Sequence, residues 1–326
     1  MTFRPTGAVT DALEQELEDA LDRGLLDEAD RLCSEAMALA EQQSEDRNRL
    51  IAHWKSNAAN VLRRRGRYDE AEALFNDALT TLETECEPDD PWLAETMNNL
   101  GAMYKFVGEF DRAAELYHRA LPILESAFGD AAEEVAVLFH NLGGLEHARG
   151  RYAEAEPFAR KSVEIRAAAV EDSHPALAAD RAALAAILLE IDEEGEAEEL
   201  LLAAIDAWEL LRPAEPPELA VAHNNLGVIY RRRGDWTGAE DHFRRALEIK
   251  ERVLGPNHRE VANTLNNLAV LLKGARRLDE AEALYRRAIE ILERNVSPDH
   301  PHLVIAGQNL QALLDAKGAS GGPSKS

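Results

Sequence analysis

Polar and apolar positions along this chain repeat with the pitch of a helix. From Met97 to Phe106, at about 100° per residue, Met97, Leu100, Gly101 and Tyr104 share one side. Asn98, Asn99, Ala102, Lys105 and Phe106 share the other. The first side is expected to be buried and the second to face outward. No two-residue alternation of the kind a half-buried strand needs is found, so the chain reads as all-α.

A longer rhythm overlies the helical one. Tyr68-Asp-Glu-Ala71-Glu-Ala-Leu-Phe75 follows Gly66, and the same grammar returns as Phe110 to Tyr117 after Gly108. It returns again as Tyr152 to Phe158 after Gly150, with the last aromatic one place early, and as Trp236 to Phe243 after Gly234. Ala29, Ala71, Ala113, Ala155, Ala197, Ala239 and Ala281 form a column with a period of 42 residues. A fixed period in this range marks a solenoid, in which each unit packs only on its neighbours.

The period predicts seven helix pairs, at about 9–48, 49–90, 91–132, 133–174, 175–216, 217–258 and 259–300, and a capping helix over 301–316 without a partner. Residues 1–8 read as a flexible lead-in and 317–326 as a disordered tail. Thr10 is a candidate N-cap for the first helix. The glycine column closes each first helix by allowing left-handed backbone. Two pairs depart from it: Asp192 and Arg276 stand at glycine positions. The fifth pair also has Ala183 for asparagine and Glu194 for the aromatic, which is expected to weaken its packing. His174, His258 and His300 fall in the turns between pairs.

A period of 42 also suits HEAT or armadillo arrays. The alternation of small and large residues favours a different repeat. Gly101, Gly143 and Gly227, the alanine column, and Ala78, Ala120, Ala204, Ala246 and Ala288 are small. Phe75, Tyr104, Tyr117, Tyr230, Phe243 and Tyr285 are large. Two closely crossed helices need this interdigitation. The pattern resembles the tetratricopeptide repeat. Asn98-Asn-Leu-Gly-Ala-Met-Tyr104, Asn224-Asn-Leu-Gly-Val-Ile-Tyr230 and Asn266-Asn-Leu-Ala-Val-Leu-Leu272 look like the 42-residue repeats of kinesin light chain over about residues 50–315. The heptad coiled coil of that family is not seen before the repeats, and a motor role is unsupported. The resemblance implies a right-handed superhelical solenoid whose inner helices line a concave groove.

Two columns lie on the outward side of the first helices. One reads Asn57, Asn99, Asn141, Ala183, Asn225, Asn267 and Asn309, with Asn98, Asn224 and Asn266 beside it. Asparagine is a mediocre helix former, so the column needs another reason. By resemblance, such amides grip the backbone of an extended peptide; equally, they set the pitch by bonding between repeats. The other column reads Arg63, Lys105, His147, Leu189, Arg231, Lys273 and Asp315. Cations suit helix C-termini through the dipole, and they would also draw carboxylates into a groove. Both readings of each column remain open.

Composition sets bounds. The net charge is −25 and the pI about 4.8, which argues against general nucleic-acid or anionic-membrane binding. Cys33 and Cys86 make neither a disulfide framework nor a metal cluster; Cys33 shares the column of Phe75 and Tyr117 and is expected in the core. MTFRPTGAVT lacks an apolar signal core, and no stretch approaches the roughly 18 apolar residues of a span, so a cytoplasmic setting is the default. His140 and His147 lie seven apart without an evident third metal ligand. No catalytic or cofactor motif is found. The expected function is non-enzymatic: a groove holding an extended, acidic or carboxylate-ended segment of a protein or peptide partner. The alternatives are a scaffold acting through its ends or outer face, and a regulatory subunit sensing a small peptide. The oligomeric state is left open by the sequence.

Overall fold

A computed structural model describes residues 8–43, 46–211 and 216–320. Among these residues there are fifteen helices and no strand. They form seven pairs: α1 (Ala8–Asp22) with α2 (Leu26–Ala40), α3 (Arg47–Arg64) with α4 (Tyr68–Glu85), α5 (Pro91–Val107) with α6 (Phe110–Phe128), α7 (Glu133–Ala148) with α8 (Tyr152–Ala169), α9 (Pro175–Glu190) with α10 (Glu194–Glu209), α11 (Pro217–Arg233) with α12 (Trp236–Leu254), and α13 (Arg259–Gly274) with α14 (Leu278–Asn295). A lone helix, α15 (Pro301–Ser320), follows. The chain divides after Ala169 into two compact units, the first holding α1–α8 and the second α9–α15.

The 42-residue columns are the packing seams. Every member of the alanine column from Ala29 to Ala281 is fully buried. So is the second small column, Ala36, Ala78, Ala120, Ser162, Ala204, Ala246 and Ala288. Close crossing explains the glycines within first helices. A Cβ on Gly101 would lie 2.6 Å from the Tyr117 ring, and one on Gly227 2.7 Å from that of Phe243. In the fourth pair the aromatic slips to Phe158, which stacks on Phe139. Ala159 takes its place and lets Gly143 approach the Ala159 backbone nitrogen to a Cβ distance of 3.0 Å. Cys33 fills the same seam in α2, buried, with its thiol pushed up to about 12 by that burial.

The turn after each first helix keeps its left-handed residue even where glycine is lost. Gly24, Gly66, Gly108, Gly150 and Gly234 have φ between 68° and 87°, and Asp192 and Arg276 adopt 63° and 64° in the same register. Left-handed backbone disfavours residues with a Cβ by about 1–2 kcal/mol, so these two turns are strained. The fifth pair, whose packing was expected to be weaker, keeps a buried core. Leu177, Leu184, Leu188, Leu201 and Trp208 are all buried, and the Trp208 indole occupies the register position of Leu82, Leu124 and Leu292.

Several expected boundaries shift. The first helix begins at Ala8, so Thr10 lies inside its first turn and is not the cap. The last helix runs on through Ser320, where a tail was expected from 317. Lys317 accounts for part of this, because its Nζ is 2.6 Å from Asp279 and 2.7 Å from Glu282 on α14. Residues 1–7 and 321–326, which hold most of the expected lead-in and tail, lie outside the described residues, as do residues 212–215 of the Leu211–Pro217 connection.

Within each unit, helices pack most closely inside a pair, and each second helix packs on the next first helix. Consecutive first helices also touch, α3 on α5 and α5 on α7 in the first unit, α9 on α11, α11 on α13 and α13 on α15 in the second. Among the described residues, consecutive second helices make no comparable contact. First helices therefore line the inner side of each unit.

Candidate functional site

The asparagine column is a ladder on that inner side. Asn141 Nδ2 donates to Asn98 Oδ1 at 2.8 Å, Asn267 to Asn224 at 3.0 Å, and Asn309 to Asn266 at 3.1 Å. Each bond joins one first helix to the previous one, 43 residues back in the chain. The reading in which these amides bond between repeats therefore describes three of the six. Asn57 instead meets His53 Nε2 at 3.2 Å. Asn99 and Asn225 make no side-chain hydrogen bond among the described residues. The acceptor positions before them are Ser56 and Ala182 rather than asparagine, so their amides are left available.

The basic column lies about six residues further along each helix, roughly 9 Å at 1.5 Å per residue. Arg63 donates from Nε to Asn60 at 3.3 Å. Lys105 lies over α7, where its Nζ is 3.1 Å from the point a Cβ on Gly144 would occupy. Burial, and then the neighbouring charge of Arg63, hold the Lys105 amine below its usual range. Burial, and then Arg64, do the same for Arg63. In the second unit Arg231 and Lys273 hold the equivalent places. Among the described residues none of these four cations forms an ion pair with a carboxylate. Their neighbours do: Arg65 binds Asp27 at 2.8 Å, Arg149 binds Asp111 at 2.7 Å, and Arg232 binds Glu194 at 2.9 Å. Such exposed pairs contribute little stability individually, but they separate the cations that tie repeats together from those without a carboxylate partner among the described residues. His147 packs its ring against Tyr152, with centroids 5.4 Å apart.

Sequence reasoning missed a cavity of about 240 Å³ in the first unit. Pro91, Leu124, Phe128 and Val137 form its apolar wall, Asn98 and Asn99 one side, and Glu18, Glu95, Glu133 and Glu134 its acidic lining. It was hidden because its residues come from α1, α5, α6 and α7, and because glutamates in a chain of charge −25 attract no notice. Also missed was the role of three turn histidines. His174, His258 and His300 accept through Nδ1 from the backbone N–H two residues on, at 3.2, 3.2 and 3.3 Å. Asp90 does the same through its carboxylate at 2.9 Å. The spacing of these four in whole periods of 42 was the available signal: they are N-caps. Among the described residues, no group of three or more His, Cys, Asp or Glu is arranged to hold a metal ion, and no helix is long and apolar enough to cross a membrane.

Comparisons agree with this architecture. BtubC (BKLC) from P. vanneervenii superposes with a TM-score of 0.59 at 22% identity, over 71% of this chain and 92% of that one. The apo form of RapI superposes at 0.67 with 15% identity, covering 96% and 87%. The apo form of the quorum sensor NprR from B. thuringiensis gives 0.64 with 15% identity, covering 97% and 83%. At these identities the likeness concerns the fold. No curated protein matches the chain. The tetratricopeptide repeat model matches residues 18–84, 50–126, 134–209 and 218–294. With the 42-residue seams, the left-handed turns and the paired helices already in place, that match identifies the chain as a member of the tetratricopeptide repeat family.

Proposed function

We propose that this chain is a non-enzymatic module that binds a segment of a protein or peptide partner along the inner side of its first helices. Acidic groups of that segment would meet Arg63 and Lys105 in the first unit or Arg231 and Lys273 in the second. The observation that carries the reading is that, among the described residues, these four cations have no carboxylate partner in a chain of net charge −25, while neighbouring arginines are paired. A partly buried cation without a counter-ion gains from an incoming carboxylate through charge-assisted hydrogen bonds. Asn99 and Asn225, whose amides have no side-chain hydrogen bond among the described residues, would bond the backbone of the segment; the other asparagines mainly join repeats. His147 would add a polar contact beside Lys105. The fold neighbour NprR is a quorum sensor, which gives some support to the alternative of a regulatory subunit that reads a peptide signal. The reading carries with it a reducing, cytoplasmic setting, where the free thiols of Cys33 and Cys86 persist.

The test is a display library of random peptides against the full chain and against an Arg63/Lys105/Arg231/Lys273→Ala variant whose fold is verified by circular dichroism. Peptides retained by the wild type are expected to contain Asp, Glu or a free C-terminus, and to lose affinity in the variant and in high salt. Retained peptides without acidic bias, or equal binding by the variant, would refute the charge assignment. A stable oligomer in sedimentation, with no peptide retained, would favour the scaffold reading.

A further inference from the structure

The cavity between α5 and α7 has a counterpart in the second unit, four whole periods later. Asn98 and Asn99 correspond to Asn266 and Asn267, Leu124 to Leu292, Glu95 to Asn263, Glu134 to His302 and Val137 to Ile305. Both hollows lie between consecutive first helices and have the end of a second helix as their floor. The backbone layout is therefore repeated while the charge is not. Glu95 and Glu134 in the first unit are replaced by neutral Asn263 and by His302 in the second.

In the first unit the negative charge is not balanced from within. Glu133 is held by Arg166 at 3.0 Å, but Glu18, Glu95 and Glu134 have no Lys or Arg partner among the described residues. Glu95 comes only within 4.0 Å of His53 Nδ1. The other nitrogen of that histidine, Nε2, is 2.9 Å from Glu14 Oε1. Glu14 Oε2 is buried, with no hydrogen-bond partner among the described residues. Glu14 itself is only 8% exposed. Two carboxylates on different helices thus share one imidazole, and one of them, Glu95, lines the cavity beside Glu18 and Glu134. Burial first, and then Glu14, Glu18 and Glu134, push the Glu95 carboxyl up, against the opposing pull of His53. Most of the chain's arginines pair with acids, but among the described residues none reaches Glu18, Glu95 or Glu134.

We propose that this cavity receives a basic side chain, lysine or arginine, of the segment bound along the first unit. Its volume of about 240 Å³ is below the roughly 300–1,000 Å³ of small-molecule sites and suits one long side chain. The wall of Leu124, Phe128 and Val137 takes the methylene stem. Glu95, Glu134 and Glu18 take the charged head, and the free Asn99 amide bonds the adjoining backbone. Lys105 and Arg63 lie about two helical turns away on the same face, so the segment carries a base and an acid a few residues apart. A purely acidic segment would be repelled where the helices begin. The second-unit hollow, with Asn263, His302 and Ile305, lacks this preference. The inference rests on the proposed groove function and specifies its first-unit ligand.

Two experiments separate the inference from the reading beneath it. The first needs no peptide. n-Butylammonium, n-butanol and n-butyrate are titrated into the full chain while the side-chain amide signals of Asn98 and Asn99 are followed by NMR. Butylammonium is expected to give saturable shifts that butanol and butyrate do not. In a Glu95→Gln/Glu134→Gln variant, isosteric and checked for an unchanged fold, its affinity should fall by at least about tenfold. If the Asn98 and Asn99 signals ignore butylammonium, or the variant responds as the wild type does, the basic-side-chain assignment is overturned. The second experiment applies the peptide library to the same variant. Wild-type peptides should share a Lys or Arg at a fixed spacing from their acidic residue, and lose that preference on the variant. Peptides that bind without a basic residue would overturn this inference and leave the groove reading intact, whereas a positive butylammonium result with no peptide retained would do the reverse.

Discussion

Arg276 shows what a single residue contributes when the register is stronger than the local preference. Its φ of 64° is a conformation that glycine adopts freely and arginine does not. Arg276→Gly should therefore stabilise the chain by about 1 kcal/mol, raising the melting temperature by about 2–4 °C. A thermal melt that is unchanged or lowered would show the turn to be unstrained. Glu95 gives a second case at this scale, with the opposite sign to most carboxylates. Its pKa is raised in the folded chain, so the native state binds the proton more readily than the unfolded state does. Stability conferred by the neutral form is present at low pH and is lost as pH rises from the ordinary glutamate value through the raised one. Glu95→Gln should thus melt higher than wild type at neutral pH. The difference should disappear once the pH falls below the ordinary glutamate range, and melts differing equally at both ends would contradict the assignment.

At the scale of the helix pair, the sequence was legible wherever packing repeats. Ala71, Ala113 and Ala239 are invariantly small because two helices cross there, and a period of 42 displays that requirement without coordinates. Asp192 and Arg276 could be placed because their neighbours kept count. Trp208 could not be foreseen, since its register position holds Leu82, Leu124 and Leu292 but also Arg166 and Lys250, and so obeys no periodic rule. The carboxylate cavity was illegible for a related reason: it depends on which residues of four helices converge, whereas the columns describe one position of one helix at a time. The asparagines fell between these cases. Their face was evident, but the division into bonded and free amides depends on the residue 43 places earlier, asparagine before Asn141 and Asn267, Ser56 before Asn99 and Ala182 before Asn225. The crossing itself is testable. A methyl group on Gly227 would lie 2.7 Å from the Phe243 ring. Gly227→Ala should therefore cost about 1–3 kcal/mol through overpacking, even though alanine is the better helix former. Denaturant titration giving an unchanged or higher midpoint would mean that the ring can step aside.

At the scale of the whole molecule, each unit is a row of pairs joined mainly to their neighbours, and the pair α1–α2 packs onward chiefly through α3. The seam position taken elsewhere by Phe75, Tyr117, Phe243 and Tyr285 is there occupied by Cys33. The unmodified chain thus contains its own chemical clock. Burial raises the Cys33 thiol to about 12, and the half-buried Cys86 thiol is raised to about 11, so an aromatic disulfide reagent finds Cys33 only when the first pair parts from α3. In a row of this kind an outer pair can open while the remainder stays folded. Modification of Cys33 should then outpace global unfolding and respond weakly to urea, because little surface is exposed by the opening. A response as steep as that of complete unfolding would instead mean that the first unit opens as one block, and the same sulfur atom would record it.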